Sequence, residues 1–404
     1  MARLMKTRPR LHLPALLASC GLLLSLGSGC IFINFVNPDA AQSKPLEAHV
    51  HRQHVSLTLV QTDFGKLEGG RVVKRFTLSN QDGMKVVLTD YGAILTELHV
   101  PDRRGATTNV VLGFDNLEAY LGGHPAFGST IGRFANRIAN ARFTLDGEDI
   151  EVTRNAGRHH IHGGRQGFNK VLWNSRPGAM QGGGASVVLT YRSVDGEEGF
   201  PGNLDVKVAY TLTARNELQI DYEATTDKPT PVNLTHHSYF NLAGGGDVLG
   251  HELMIDADRF TLADDDLIPT GLIGGVEGTP LDFRRSQTIG SRIDTLKPRP
   301  GGYDHNYVLN SGGGKLALAA RVREPRSGRI MEVLTTEPGV QLYTANHLDG
   351  SLVGVGGVVY GRHAGLCLET QHYPDSVNHG NFPSTILRPG ETFRSRTVYR
   401  FKAE

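Results

Sequence analysis

Five stretches of this 404-residue chain set polar side chains among apolar or glycine neighbours. The first runs Gly132-Arg133-Phe134-Ala135-Asn136-Arg137-Ile138-Ala139, and the second His159-His160-Ile161-His162-Gly163-Gly164. The third is Asn233-Leu234-Thr235-His236-His237-Ser238-Tyr239-Phe240-Asn241-Leu242, and the fourth Asp304-His305-Asn306-Tyr307. The fifth joins Pro338-Gly339-Val340-Gln341-Leu342-Tyr343 to Leu368-Glu369-Thr370-Gln371. A histidine with a carboxylate can move protons at neutral pH. Asn, Arg, Gln and Asp among aromatic rings suit a neutral polyol, whose hydroxyls need fixed donors and acceptors and whose ring face prefers an aromatic wall.

Other chemistries fit less well. His159, His160, His162, His236 and His237 cluster as metal ligands do, but there is no HExxH and no Cys pair. His160 and His162 on one strand face would serve a metal or act as two donors to a polar ligand, and the second reading is preferred, with no metal or other cofactor expected. A nucleophilic hydrolase is disfavoured, because there is no Gly-x-Ser-x-Gly and Cys367 lies in an apolar run that reads as a buried, inert thiol. Gly163-Gly164 and Gly244-Gly245-Gly246 lack the strand–turn–helix setting of a nucleotide loop and read as plain loops. Each polar residue also has a plainer role. Glu369 alone would be a paired buried carboxylate, His237 a core histidine, Arg137 a surface charge, Asp304 a turn residue and Arg133 structural. Their conjunction favours catalysis.

At these residues the sequence resembles the aldose 1-epimerase (galactose mutarotase) family, over roughly residues 70–400. Asn233 to Leu242 matches the family signature N-x-T-N-H-S-Y-F-N-L and departs from it at His236, where asparagine is usual. The resemblance implies that His237 and Glu369 are catalytic. It implies that Asn136, Arg137, His162, Asp304 and Gln341 bind the sugar. The implied fold is a large antiparallel β-sandwich, the galactose mutarotase-like supersandwich, and the implied reaction is the interconversion of the α and β anomers of free glucose or galactose. Glu369 would take the C1 hydroxyl proton and protonated His237 would donate to the ring oxygen, the two facing each other across a pyranose-sized cavity. Arg137 could instead orient Glu369. Two other functions compete: a hexose-phosphate epimerase, which would want extra Arg or Lys at the rim, and a sugar-binding module without turnover, which would need no acid–base pair.

The elements that hold these residues read as strands. Leu204, Val206, Val208, Tyr210 and Leu212 are apolar at every second position, and the pattern resumes at Leu218, Ile220 and Tyr222, as in a half-buried antiparallel hairpin. Shorter runs lie at 86–89, 94–100, 187–191, 316–322 and 398–401, while 117–121 could form one helical turn. The 50 glycines and 19 prolines show no collagen period and suit turns between strands. All-β architecture follows. A hydrophobic share of 39% and a net charge of +1 exclude a disordered chain and weaken nucleic acid as a partner. Residues 1–45 read as an export leader: Arg3, Lys6, Arg8 and Arg10, then an apolar run from Leu11 to Leu26, then small residues. Cys20, Cys30 or a site near Ala41 could mark its cleavage, giving a periplasmic or lipid-anchored product. Residues 46–65 read as a linker and 66–404 as one domain, with only Cys367 left in the folded part.

Overall fold

The alternation between Leu204 and Ala224 forms the centre of the largest sheet. In the computed structural model, which describes residues 57–178, 184–296 and 301–404, Leu204–Thr213 and Glu217–Thr226 pair antiparallel from Leu204↔Thr226 to Leu212↔Leu218. The apolar set is buried, and the other face carries pairs such as Lys207 with Glu223 at 2.9 Å. Asn216 closes the reversal at φ 57°, a conformation asparagine tolerates. Nine antiparallel strands make up this sheet. Their order is Asn174–Pro177, Gly184–Ser193, Leu204–Thr213, Glu217–Thr226, Phe393–Ala403, Arg329–Thr335, Ala317–Arg323, Glu252–Ile255 and Gln287–Thr288.

Two five-stranded antiparallel sheets complete the sandwich. One is a meander of Thr58–Lys66, Val72–Ser79, Lys85–Thr89, Ile94–Pro101 and Thr107–Asn109. The other has the order Pro269–Gly275, Arg259–Ala263, Asp304–Val308, Gly339–Tyr343 and Cys367–Gln371. Phe76, Leu88 and Leu98 of the meander share one buried cluster with Val208 and Tyr399 of the large sheet and with Tyr307, Leu342 and Leu368 of the third. This common core makes the three sheets one layered body, the large antiparallel β-sandwich expected. The expected helical turn is Leu117–Leu121, whose first turn is capped by Asn116 Oδ1 accepting the Ala119 N–H at 2.9 Å.

The linker reading of residues 46–65 differs from the structure at its end. From Thr58 the chain is a strand paired with Val72–Ser79, in register from Thr58↔Ser79. Leu57 and Leu59 pack on the core while most of the strand stays in solvent. An edge strand needs few apolar residues, so its pattern is faint. The leader expected at 1–45 lies outside the described residues. Among the described residues no helix is long and apolar enough to cross a membrane.

Candidate active site

The third sheet brings distant carboxylates together by strand register. Gln341 lies directly opposite Glu369, and Tyr343, two positions on, lies opposite both Asp304 and Cys367. Side chains two apart on a strand share a face, so Asp304, Gln341 and Glu369 point the same way. The alternate residues Tyr307, Val340, Leu342 and Leu368 enter the core. His237 arrives on the short strand Thr235–His237, paired with Ser129–Ile131. Arg137 lies on Arg137–Ile138, paired with His160–Ile161, and is flanked by Asn136 and His162.

Asn136, Arg137, His162, His237, Asp304 and Glu369 line one cavity of about 290 Å³, together with Tyr239 and Tyr343, near the lower end of the ~300–1,000 Å³ usual for small-molecule sites. His237 Nε2 stands 3.5 Å from Glu369 Oε1. The two groups are side by side rather than across a sugar ring from one another. Tyr239 stacks on His237 at 5.1 Å, and Cys367 Sγ touches its Nδ1 at 3.5 Å. Arg137 Nη2 lies 3.7 Å from Asp304 Oδ2. Asn136 Oδ1 accepts the Arg137 N–H at 2.9 Å and Arg137 Nη1 at 3.4 Å.

Burial pushes the Glu369 carboxyl well above the ordinary carboxylate range; Asp304 adds to this and Arg137 opposes it. Burial also drives the His237 imidazole down to about 4, against smaller opposing effects from its own backbone and from Asp304. Burial therefore disfavours the charged form of both groups. Among the described residues Glu369 Oε2 has no hydrogen-bond partner.

His162 shows how tautomers are fixed here. Its Nδ1 accepts the Asn136 N–H at 3.2 Å, while the backbone N–H of His162 donates to Asn136 O at 3.0 Å. A backbone amide only donates, so Nδ1 is the bare nitrogen and Nε2 carries the proton. His162, His237 and Glu369 each offer one possible ligand atom, all within 4.8 Å of one another. A ring whose lone pair is already taken by Asn136 is a poor third ligand and a good donor to a hydroxyl. Asn136 and His162 hold φ of 60° and 51°, left-handed values that non-glycine residues seldom adopt. This break in the strand also separates His160 from His162. His160 is buried against Phe200, with Nδ1 2.8 Å from Thr153 O.

Six of the seven expected site residues line the cavity: Asn136, Arg137, His162, His237, Asp304 and Glu369. Gln341 is absent from that lining, although it shares the face of Asp304 and Glu369. Its Nε2 donates to Asp304 Oδ1 at 2.6 Å, and among the described residues its buried Oε1 has no partner, so it orients Asp304 from the same face of the sheet. The Asn233–Leu242 stretch sends only His237 and Tyr239 to the cavity. Its other polar residues stitch loops. Asn233 bonds His372 through both side-chain atoms, Thr235 donates to Thr370 O at 2.9 Å, and Asn241 donates to Ala364 O at 2.9 Å. His236 points the opposite way from His237, with Nε2 2.7 Å from Ser238 Oγ and Nδ1 3.3 Å from Tyr210 Oη. Arg133 is 2% exposed and donates to the carbonyls of Pro201, Gly202, Ser193 and Val194 and to the hydroxyls of Ser193 and Thr230. His124, Asn155, Lys170 and His347 also line the cavity. None of the four lies within the five polar stretches of the sequence.

Comparison with known proteins follows the same segments. The family model described as aldose 1-epimerase matches residues 74–400. Galactose mutarotase of Rattus norvegicus is 46% identical over 348 residues, covering 85% of this chain and 99% of that protein. Aldose 1-epimerase of Escherichia coli strain K12 is 39% identical over 340 residues, covering 83% and 97%. The crystal structure of galactose 1-epimerase from Lactobacillus acidophilus NCFM matches with a TM-score of 0.76 at 28% identity, over 86% of this chain and 99% of that one.

Proposed function

This chain belongs to the aldose 1-epimerase family and is an isomerase that interconverts the α and β anomers of an aldose; we propose that His237 and Glu369 carry the reaction as one acid–base pair. The observation that supports this is their 3.5 Å separation. The C1 hydroxyl and the ring oxygen are bonded to the same carbon, so they lie closer together than one hydrogen-bond length. An acid and a base side by side can reach both.

The charged form of the pair arises by passing the proton from Glu369 Oε1 to His237 Nε2, which Arg137 beside Glu369 favours. The Glu369 carboxylate then takes the C1 hydroxyl proton while the His237 imidazolium protonates the ring oxygen. The bond from C1 to the ring oxygen breaks as the C1 carbonyl forms. Rotation about C1–C2 turns the other carbonyl face to the ring hydroxyl, and the reverse transfers close it. Each group contributes about 10²–10⁴-fold. His162 Nε2–H, Arg137, Asn136 and Asp304 hold the remaining hydroxyls, so that C1 turns while the rest stays fixed. Tyr239 and Tyr343 supply the aromatic wall.

Polarimetry on freshly dissolved α-D-galactose and α-D-glucose tests the reading. The protein should carry the rotation to equilibrium far faster than the buffer does. Galactose binding with rotation left at its uncatalysed drift would make the fold a binding module. We also propose export, supported by the charged, apolar and small-residue order of residues 1–45. Mass spectrometry of the mature protein should find that leader missing; an intact Met1 would refute cleavage.

A further inference from the structure

His124 belongs to no polar stretch of the sequence, yet it is built in the manner of His162. It opens a tight turn in which the Ala126 N–H donates to His124 O at 2.8 Å, with Ala126 and Gly128 at φ of 58° and 62°. Its Nδ1 accepts the Phe127 N–H at 2.9 Å. By the argument applied to His162, Nδ1 is bare and Nε2 carries the proton. Among the described residues nothing takes a hydrogen bond from Nε2, and the ring lines the cavity.

The ring is held from several sides. Tyr120 meets it edge-on at 5.0 Å, Phe114 edge-on at 6.3 Å, and Phe127 stacks at 6.1 Å. The next residue, Pro125, accepts Tyr239 Oη at 2.9 Å, and Tyr239 stacks on His237. The turn is thereby tied to the wall that carries the acid. Burial, with Lys170 and His237 nearby, lowers the imidazole to about 4, so at neutral pH it is uncharged and keeps one tautomer. A donor fixed in this way loses little freedom when it meets a ligand.

We propose that His124 is a further sugar-contacting residue, its Nε2–H donating to one hydroxyl of the pyranose and so helping to rank the aldoses the enzyme accepts. The proposal rests on the reading of this cavity as the sugar site. His124→Phe keeps the ring and its packing and removes the donor. Its KM for α-D-galactose should rise roughly two- to tenfold, the worth of one neutral hydrogen bond, with kcat held.

The decisive measurement crosses this variant with the 2-, 3-, 4- and 6-deoxy sugars. The substitution should cost nothing further with the one sugar that lacks the contacted hydroxyl, and its usual amount with the others. His124→Gln, which retains an N–H, should recover part of the loss; if the phenylalanine variant fails to fold, His124→Gln against His124→Leu carries the same comparison. An unchanged KM, or additive losses for all four deoxy sugars, overturns the proposal and leaves the activity reading standing. Failure of the intact protein to equilibrate galactose overturns both.

Discussion

Replacing Glu369 by glutamine should separate proton transfer from binding and from folding. The residue is 2% exposed, with Oε1 beside His237 and, among the described residues, no partner for Oε2. Glutamine has the same shape. Because burial already favours the neutral carboxyl, the exchange swaps one neutral group for another, and the denaturant midpoint should correspond to a stability change within about 1 kcal/mol. Catalysis loses a proton carrier, which costs about 10²–10⁴-fold in kcat, or roughly 3–5 kcal/mol at ~1.36 kcal/mol per tenfold. KM should move far less, since the amide still meets the C1 hydroxyl. The assay is polarimetry of α-D-galactose at several concentrations, with urea unfolding on the same preparation. A variant within about fivefold of the intact kcat would refute the assignment. A kcat that falls only in step with stability would make the carboxyl structural.

The pH profile of kcat/KM follows from the same pair, whose working form holds one proton. As pH falls through about 4, His237 takes a second proton and no base remains, so the rate is lost. As pH rises through the elevated Glu369 value, the last proton leaves and no acid remains; Glu369→Gln should abolish that alkaline limb. Arg133→Met should lower stability by about 3–5 kcal/mol, read as a urea midpoint shift, because it strands buried carbonyls that Arg133 now satisfies. Dialysis against EDTA should leave the rate of mutarotation unchanged, since the His162 lone pair is already engaged by Asn136; lost activity restored by zinc would contradict this.

Much of the sandwich was legible because one face is wet. The 204–212 alternation is the direct imprint of a strand with one buried side. The strand at Thr58–Lys66 left no such imprint, because as an edge it buries little. At the site, the density of polar letters marked the Asn233–Leu242 stretch and the family resemblance singled out His237 within it, although most of those letters serve the backbone. The convergence of Asp304, Gln341 and Glu369 could not be computed from spacing, because it is set by the pairing of three strands far apart in sequence. That same pairing sets Gln341 beside Asp304, whose carboxylate it holds. His124 gave no signal, since its role comes from a backbone amide three residues on fixing its tautomer.

The cavity walls are drawn from residues as distant as Asn136 and Glu369, whereas the chain's single tryptophan, Trp173, is buried against its close sequence neighbour Phe168 and Tyr191. During refolding these two reporters time different events. Fluorescence registers burial in the common core, which Trp173 shares with Leu88 and Val208, and turnover appears only once the segments around the cavity have also docked. Enzymatic activity is thus the stricter clock of when this molecule is finished.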